Sequence, residues 1–122
     1  MPNEIESYKD LIVWQQAMDL AVATYAATRS WPKEELYGLT QQARRAATSV
    51  PANIAEGYAR ESRASYQNFL RIAQGSLKEL ETHLTIAERV GITPKPAIAP
   101  LFAQSESVGK LLRLLIRRLA PT

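Results

Sequence analysis

From Ser62 to Gly91, apolar side chains return every third or fourth position: Tyr66, Phe69, Leu70, Ala73, Leu77, Leu80, Leu84 and Ala87. That spacing fits one face of an α-helix and not a strand, whose side chains alternate with a period of two. Ser62 carries the short oxygen-bearing side chain favoured at a helix start. Gly91 suits the position just past a helix end, where the backbone turns left-handed. The spacing predicts a helix over 63–90, roughly 40 Å long at about 1.5 Å per residue. An apolar stripe of that length needs partners of similar length to cover it.

Three further segments supply them. Ser7 and Asp10 form a Ser-x-x-Asp start signal for a helix over about 9–28. Its expected core face is Leu11, Trp14, Met18, Ala21, Val22 and Tyr25, and Pro32 ends it by disfavouring helical geometry at Trp31. A second helix is expected over about 34–59, with a core face of Leu39, Ala43, Ala46, Ala47, Val50 and Ile54. Gly38 weakens its start and leaves room for a separate helical turn before it. Pro51 lacks an N–H and crowds the Ala47 carbonyl, so a kink is expected there. After Thr93-Pro94-Lys95-Pro96, a fourth helix is expected over 97–119. Its stripe is Ile98, Leu101, Phe102, Ser105, Val108, Leu112, Leu115, Ile116 and Leu119, with Pro121 closing the chain. Short connections favour antiparallel neighbours. The expected fold is all-α: a single domain over 1–122, an antiparallel up-down-up-down four-helix bundle with its second helix kinked at Pro51. A chain of 122 residues with 46% apolar side chains can bury one such core.

The helices carry more apolar surface than one core face each requires. At about 100° per residue, Val13 and Leu20 point away from the Trp14/Met18/Tyr25 face. Ile72, Ile86 and Val90 flank or oppose the main stripe of the third helix. Leu111 and Leu114 lie outside the Leu112/Leu115/Leu119 face of the fourth. A contiguous apolar surface of this kind marks an interface. These seven residues are the expected contacts between copies of the chain.

Catalytic constellations are missing. His83 is the single histidine and there is no cysteine, so the common zinc sites cannot be built. A carboxylate-bridged di-metal bundle needs Glu-x-x-His pairs on two helices. Glu79 and His83 are four residues apart, and no second pair exists. No phosphate-cradling glycine loop and no nucleophile elbow occurs. The expectation is a non-enzyme with no catalytic residue, no metal and no cofactor. Met1 to Asp10 holds no apolar signal core, and no stretch reaches the ~20 apolar residues of a membrane span. With no cysteine present, a cytoplasmic setting away from membranes is expected.

The charge is +3, and part of the excess is local. From Val108 to Thr122 stand Lys110, Arg113, Arg117 and Arg118 with no acid between them. Cations in the last turns of a helix complement its dipole, and they also suit an anionic partner. Lys110, Arg113 and Arg117 share one flank. With Arg118, Arg44 and Arg45 they are the candidate nucleic-acid contacts.

The most unusual stretch is Arg44-Arg45-Ala46-Ala47-Thr48-Ser49-Val50-Pro51-Ala52-Asn53-Ile54-Ala55-Glu56-Gly57. Its small residues allow another helix to approach closely. Arg45, Ser49 and Glu56 fall on one side, opposite the Ala43/Val50/Ile54 face. Asn53 and Glu56 are expected to satisfy backbone groups freed at Pro51 or to pair with an arginine of a neighbouring helix.

This stretch resembles the bacterial four-helix-bundle family of proteins encoded by intervening sequences in 23S ribosomal RNA genes. Its matching signature is Arg45, Ser49, Pro51, Asn53, Glu56 and Gly57. Three further pieces, ordered as in the family, extend the likeness from Tyr8 to about Gly91. They are Tyr8-Lys9-Asp10-Leu11-Ile12-Val13-Trp14-Gln15-Gln16-Ala17, the run from Tyr37-Gly38-Leu39 to Ala47, and the run from Tyr66-Gln67-Asn68-Phe69 to Glu81. The resemblance implies a homopentameric ring of four-helix bundles and no catalytic residues. A related branch, the accessory proteins of diversity-generating retroelements, implies binding to nucleic acid and a reverse transcriptase. The expected function is a non-enzymatic oligomeric binding protein for RNA or a ribonucleoprotein. The alternative is a protein-interaction scaffold with no nucleic-acid role.

Overall fold

The computed structural model describes residues 4–120; Pro121, expected to close the chain, lies outside them. Four α-helices carry the fold: α1 (Ile12–Thr28), α2 (Leu39–Tyr58), α3 (Arg63–Arg89) and α4 (Lys95–Leu119). Each packs on the next, and α4 also packs on α1, so the four enclose one core. No strand occurs among the described residues. Pairings along the seams are long-range. Gln67, early in α3, donates to the Ile116 carbonyl late in α4 at 3.0 Å, and Ser49 Oγ meets Ser76 Oγ between α2 and α3 at 2.9 Å.

The helix ends follow from local chemistry. Ser62 Oγ accepts from the Ser65 N–H at 3.1 Å and caps α3. At the other end Gly91 adopts φ +83. The Ile92 N–H reaches back to the Ala87 carbonyl at 2.8 Å and the Gly91 N–H to that of Glu88 at 3.2 Å. Those two bonds satisfy carbonyls that have no partner within the helix, and glycine reaches the left-handed region without Cβ strain. The Ser7/Asp10 signal is also real, but it caps a 3-10 turn (Tyr8–Asp10) rather than α1. Ser7 Oγ accepts from the Lys9 N–H, and Asp10 Oδ2 accepts from the N–H groups of Glu6 and Ser7. Leu11 is extended, so α1 starts at Ile12, later than expected. A separate 3-10 turn at Lys33–Glu35 precedes α2. Pro51 lies within one continuous helical segment. Helix α4 begins two residues earlier than expected, because Pro96 sits in its first turn, where no N–H is needed.

The core contains the expected faces of α2, α3 and α4. On α1 it keeps the expected Ala21, with Leu11 and Trp14 half-buried against it, but it turns in Val13 and Leu20 and leaves out Met18, Val22 and Tyr25. Val13 and Leu20, expected at an oligomer interface, are 5% and 0% exposed and belong to the core. Met18, Val22 and Tyr25, expected inside, are 37%, 65% and 42% exposed. The physical reason is size. The inward face of α1 runs through Val13, Ala17, Leu20, Ala21, Thr24 and Thr28, mostly small side chains that let neighbouring helices come close. Its two threonines are buried without loss, because their hydroxyls donate to the Leu20 and Thr24 carbonyls at 2.8 Å. Met18, Val22 and Tyr25 are left on the outside, while Trp14 is half-buried at the edge of the core.

The two faces should separate cleanly in urea denaturation. Leu20→Ala opens a cavity and should cost about 2–5 kcal/mol. Val22→Ser removes little buried area and should stay within about 0.5 kcal/mol of the parent. The reverse order would place the outer face of α1 in the core.

Candidate nucleic-acid interface

Lys110, Arg113 and Arg117 are all exposed on α4. Lys110 Nζ pairs with Glu106 Oε1 one turn back at 3.5 Å, with both groups in solvent. Such an exposed pair is weak and screened by salt. Arg113 and Arg117 have no carboxylate within ion-pair distance among the described residues. Arg113 also lines an open groove of about 640 Å³ between α3 and α4. The facing wall brings in Arg71 and Lys78, which the reading of the sequence missed. A signal was present: the two are seven residues apart, two helical turns on one face of α3. Lys78 Nζ contacts Glu81 Oε1 at 3.2 Å, and Ser105 Oγ donates to Glu81 Oε2 at 2.6 Å. That bond gives a partner to a hydroxyl buried in the apolar stripe of α4.

The remaining candidate cations lie elsewhere. Arg118 lines a different groove, with Ile5, Ile12, Leu111 and Leu114. Arg44 joins α1 to α2: its Nε donates to Thr28 Oγ1 at 2.9 Å, and its guanidinium lies 4.6 Å from the Tyr25 ring centroid. Those contacts hold the side chain against α1 and make it a structural group. Arg45 is exposed on α2.

Apolar surface is exposed in three places. Trp14, Met18, Val22 and Tyr25 face Pro51, Ala52 and Ala55 across a groove of about 570 Å³ between α1 and α2. Ile72, Ile86 and Val90 are exposed along α3, and Leu114 is exposed on α4, whereas Leu111 is half-buried against the core. Five of the seven expected interface residues therefore have accessible surface. Val13 and Leu20 are buried in the core, and on α1 it is Met18, Val22 and Tyr25 that are exposed.

The signature stretch is used inside the bundle. Asn53 Nδ2 donates to the Ser49 carbonyl at 2.8 Å and to Ser49 Oγ at 2.9 Å, so Asn53, Ser49 and Ser76 form a chain of polar contacts from α2 to α3. Glu56 pairs with Arg60 just past the end of its own helix, at 3.2 Å, not with an arginine of a neighbouring helix. The Arg60 guanidinium lies 4.7 Å from the Phe69 ring centroid, so the turn between α2 and α3 is tied down at both ends. Nearby, burial and the phenol of Tyr58 push the Tyr66 hydroxyl above the ordinary tyrosine pKa. His83 Nε2 lies 3.6 Å from Glu79 Oε2 on the same helix. Among the described residues no group of three His, Cys, Asp or Glu side chains could hold a metal ion, and no helix is long and apolar enough to cross a membrane.

Residues 9–114 match the family described as 23S rRNA-intervening sequence protein. The chain belongs to that family. A solved structure from Bacteroides thetaiotaomicron, described as a protein of unknown function from the S23 ribosomal protein family, is similar to it. It is 26% identical, covers 87% of this chain and 99% of its own, and has a TM-score of 0.77. No curated protein matches. In this member of the 23S rRNA-intervening sequence family, the signature residues Ser49, Asn53 and Gly57 hold the seam between α2 and α3. Arg71 on α3 and Arg113 on α4, neither with a carboxylate partner among the described residues, line one groove.

Gly57 carries the sharpest test of that seam. A Cβ there would stand 2.8 Å from Phe69 Cβ and 3.2 Å from the Tyr66 carbonyl oxygen. Alanine favours a helix over glycine by roughly 0.5–1 kcal/mol. The forced separation should outweigh that gain, so Gly57→Ala should lower stability by about 1–3 kcal/mol in chemical denaturation.

Proposed function

We infer that the protein is a non-enzymatic, self-associating binding protein that takes RNA, alone or in a ribonucleoprotein, on the side formed by α3 and α4. The observation that carries this reading is the meeting of Arg113 with Arg71 and Lys78 across one groove, beside Lys110 and Arg117 on the same flank of α4. Arginine and lysine side chains position phosphate backbones without reading sequence. A cytoplasmic setting goes with this reading.

Self-association rests on the exposed apolar surface of the α1–α2 groove and of α3, since contiguous patches of this kind are interaction sites. Five copies, the number the family resemblance implies, would carry about +15 in total and repeat the basic side around an axis.

A second reading, a protein-interaction scaffold, is favoured by one observation. The α1–α2 groove is walled by Trp14, Met18 and Val22 and by the small side chains of Ala52 and Ala55. In that reading the cations of α4 only solubilise the surface, and partners captured from a lysate should survive nuclease treatment.

Binding of a fluorescent single-stranded RNA, followed by anisotropy, tests the first reading. Affinity should fall with salt, by about 0.7 log units per log unit of salt for each phosphate neutralised. Charge reversal at Lys110, Arg113 and Arg117 should weaken binding at least about tenfold and leave the helical circular-dichroism signal unchanged. Salt-independent affinity, or an unaffected triple variant, would remove RNA from the reading. Light scattering should give a multiple of 13.6 kDa at micromolar concentration, and a monomeric mass would end the self-association.

A further inference from the structure

Gly75 and Gly109 lie in the middle of α3 and α4, where glycine weakens a helix relative to alanine. Packing explains Gly57, but not these two. No atom lies within 4 Å of where a Gly75 Cβ would stand. A Gly109 Cβ would meet only Leu77 Cδ1 and Arg113 Nη1, both at an ordinary contact distance of 3.7 Å. Both glycines line the same α3–α4 groove. Missing side chains there keep space open and let a ligand come close to the backbone.

The charges around this space are unevenly neutralised. Glu81 is engaged by Lys78 and Ser105, and Glu106 is engaged by Lys110. Arg71 and Arg113 have no carboxylate partner among the described residues. Two free guanidinium groups lining one groove are matched by an anion with several acceptor oxygens, and the planar fork of arginine fits a phosphate better than it fits chloride or water.

We propose that the α3–α4 groove seats a phosphoryl group delivered by an RNA strand, held by Arg71 and Arg113 in the space left by Gly75 and Gly109. This rests on the RNA-binding reading and gives it a defined seat. Purely superficial attraction would depend on charge alone. A seat depends on shape as well, so a neutral side chain placed in it should block binding.

The chain has five glycines, and glycine amides occupy a distinct region of an amide NMR spectrum. Titration with a short oligouridylate should shift the Gly75 and Gly109 amides and leave those of Gly38, Gly57 and Gly91 in place. Inorganic pyrophosphate should do the same at higher concentration. Gly75→Gln has room for its side chain and should keep or raise the melting temperature, yet weaken oligouridylate binding about tenfold. Arg71→Ala with Arg113→Ala should do likewise and, by losing one seated phosphate, lower the salt slope by about 0.7 log units per log unit. Salt-dependent RNA binding that neither variant changes would overturn the seat and leave the RNA reading standing. Shifts with pyrophosphate but not with RNA would uphold the phosphoryl seat and overturn its RNA source. No shift of either glycine with either ligand would overturn the seat itself.

Discussion

A methyl group at position 57 would stand 2.8 Å from Phe69 Cβ, so α2 and α3 meet there with a hydrogen atom where any other residue has a carbon. That approach sets the most extensive helix pair in the bundle. Farther along the same seam, Ser49 and Ser76 touch through their hydroxyls, a contact only short side chains permit at this separation. The position of α3 then fixes how Arg71, Gln74 and Lys78 face α4. The groove with its cations is in this sense a consequence of the small residues at the opposite side of α3. The conspicuous motif of the chain is structural, and the chemistry open to a partner lies elsewhere.

Much of this was legible in the sequence, and the exceptions have identifiable causes. Helix α3 could be read from Ser62 to Gly91, because a side-chain cap and a left-handed glycine act locally and the stripe between them is long. Helix α1 was legible as a helix but not in its orientation. Periodicity finds apolar faces without saying which turns inward, and α1 has two. Weight of side chain pointed to Trp14, Met18 and Tyr25. Closeness of packing favoured Ala17 beside the expected Ala21, and Thr24 and Thr28 could join them because each hydroxyl finds a carbonyl one turn back. Apolar surface beyond the core is exposed, but on α1 it belongs to Met18, Val22 and Tyr25 and not to Val13 and Leu20.

The cations show the same limit. Lys110, Arg113 and Arg117 could be grouped by spacing within one helix. Arg44 could not be set aside, because its partner Thr28 is sixteen residues away on another helix. Arg71 and Lys78 gain meaning only when α3 lies beside α4. Charge content alone would call this a mildly basic chain. Its arrangement puts two guanidinium groups without a carboxylate partner among the described residues at a groove lined by Gly75 and Gly109, while Trp14, Met18, Val22 and Tyr25 line a groove across the bundle between α1 and α2. The first groove suits an anionic strand and the second suits contact with protein, in a family described as 23S rRNA-intervening sequence protein.

The central claim is that RNA meets this protein on the α3–α4 side. Ultraviolet cross-linking of the protein to RNA, followed by mass spectrometry of the joined peptides, tests it most directly. The account predicts cross-links on peptides containing residues 71–78 and 109–117. Cross-links confined to residues 14–25 and 44–55, the α1–α2 side, would contradict it.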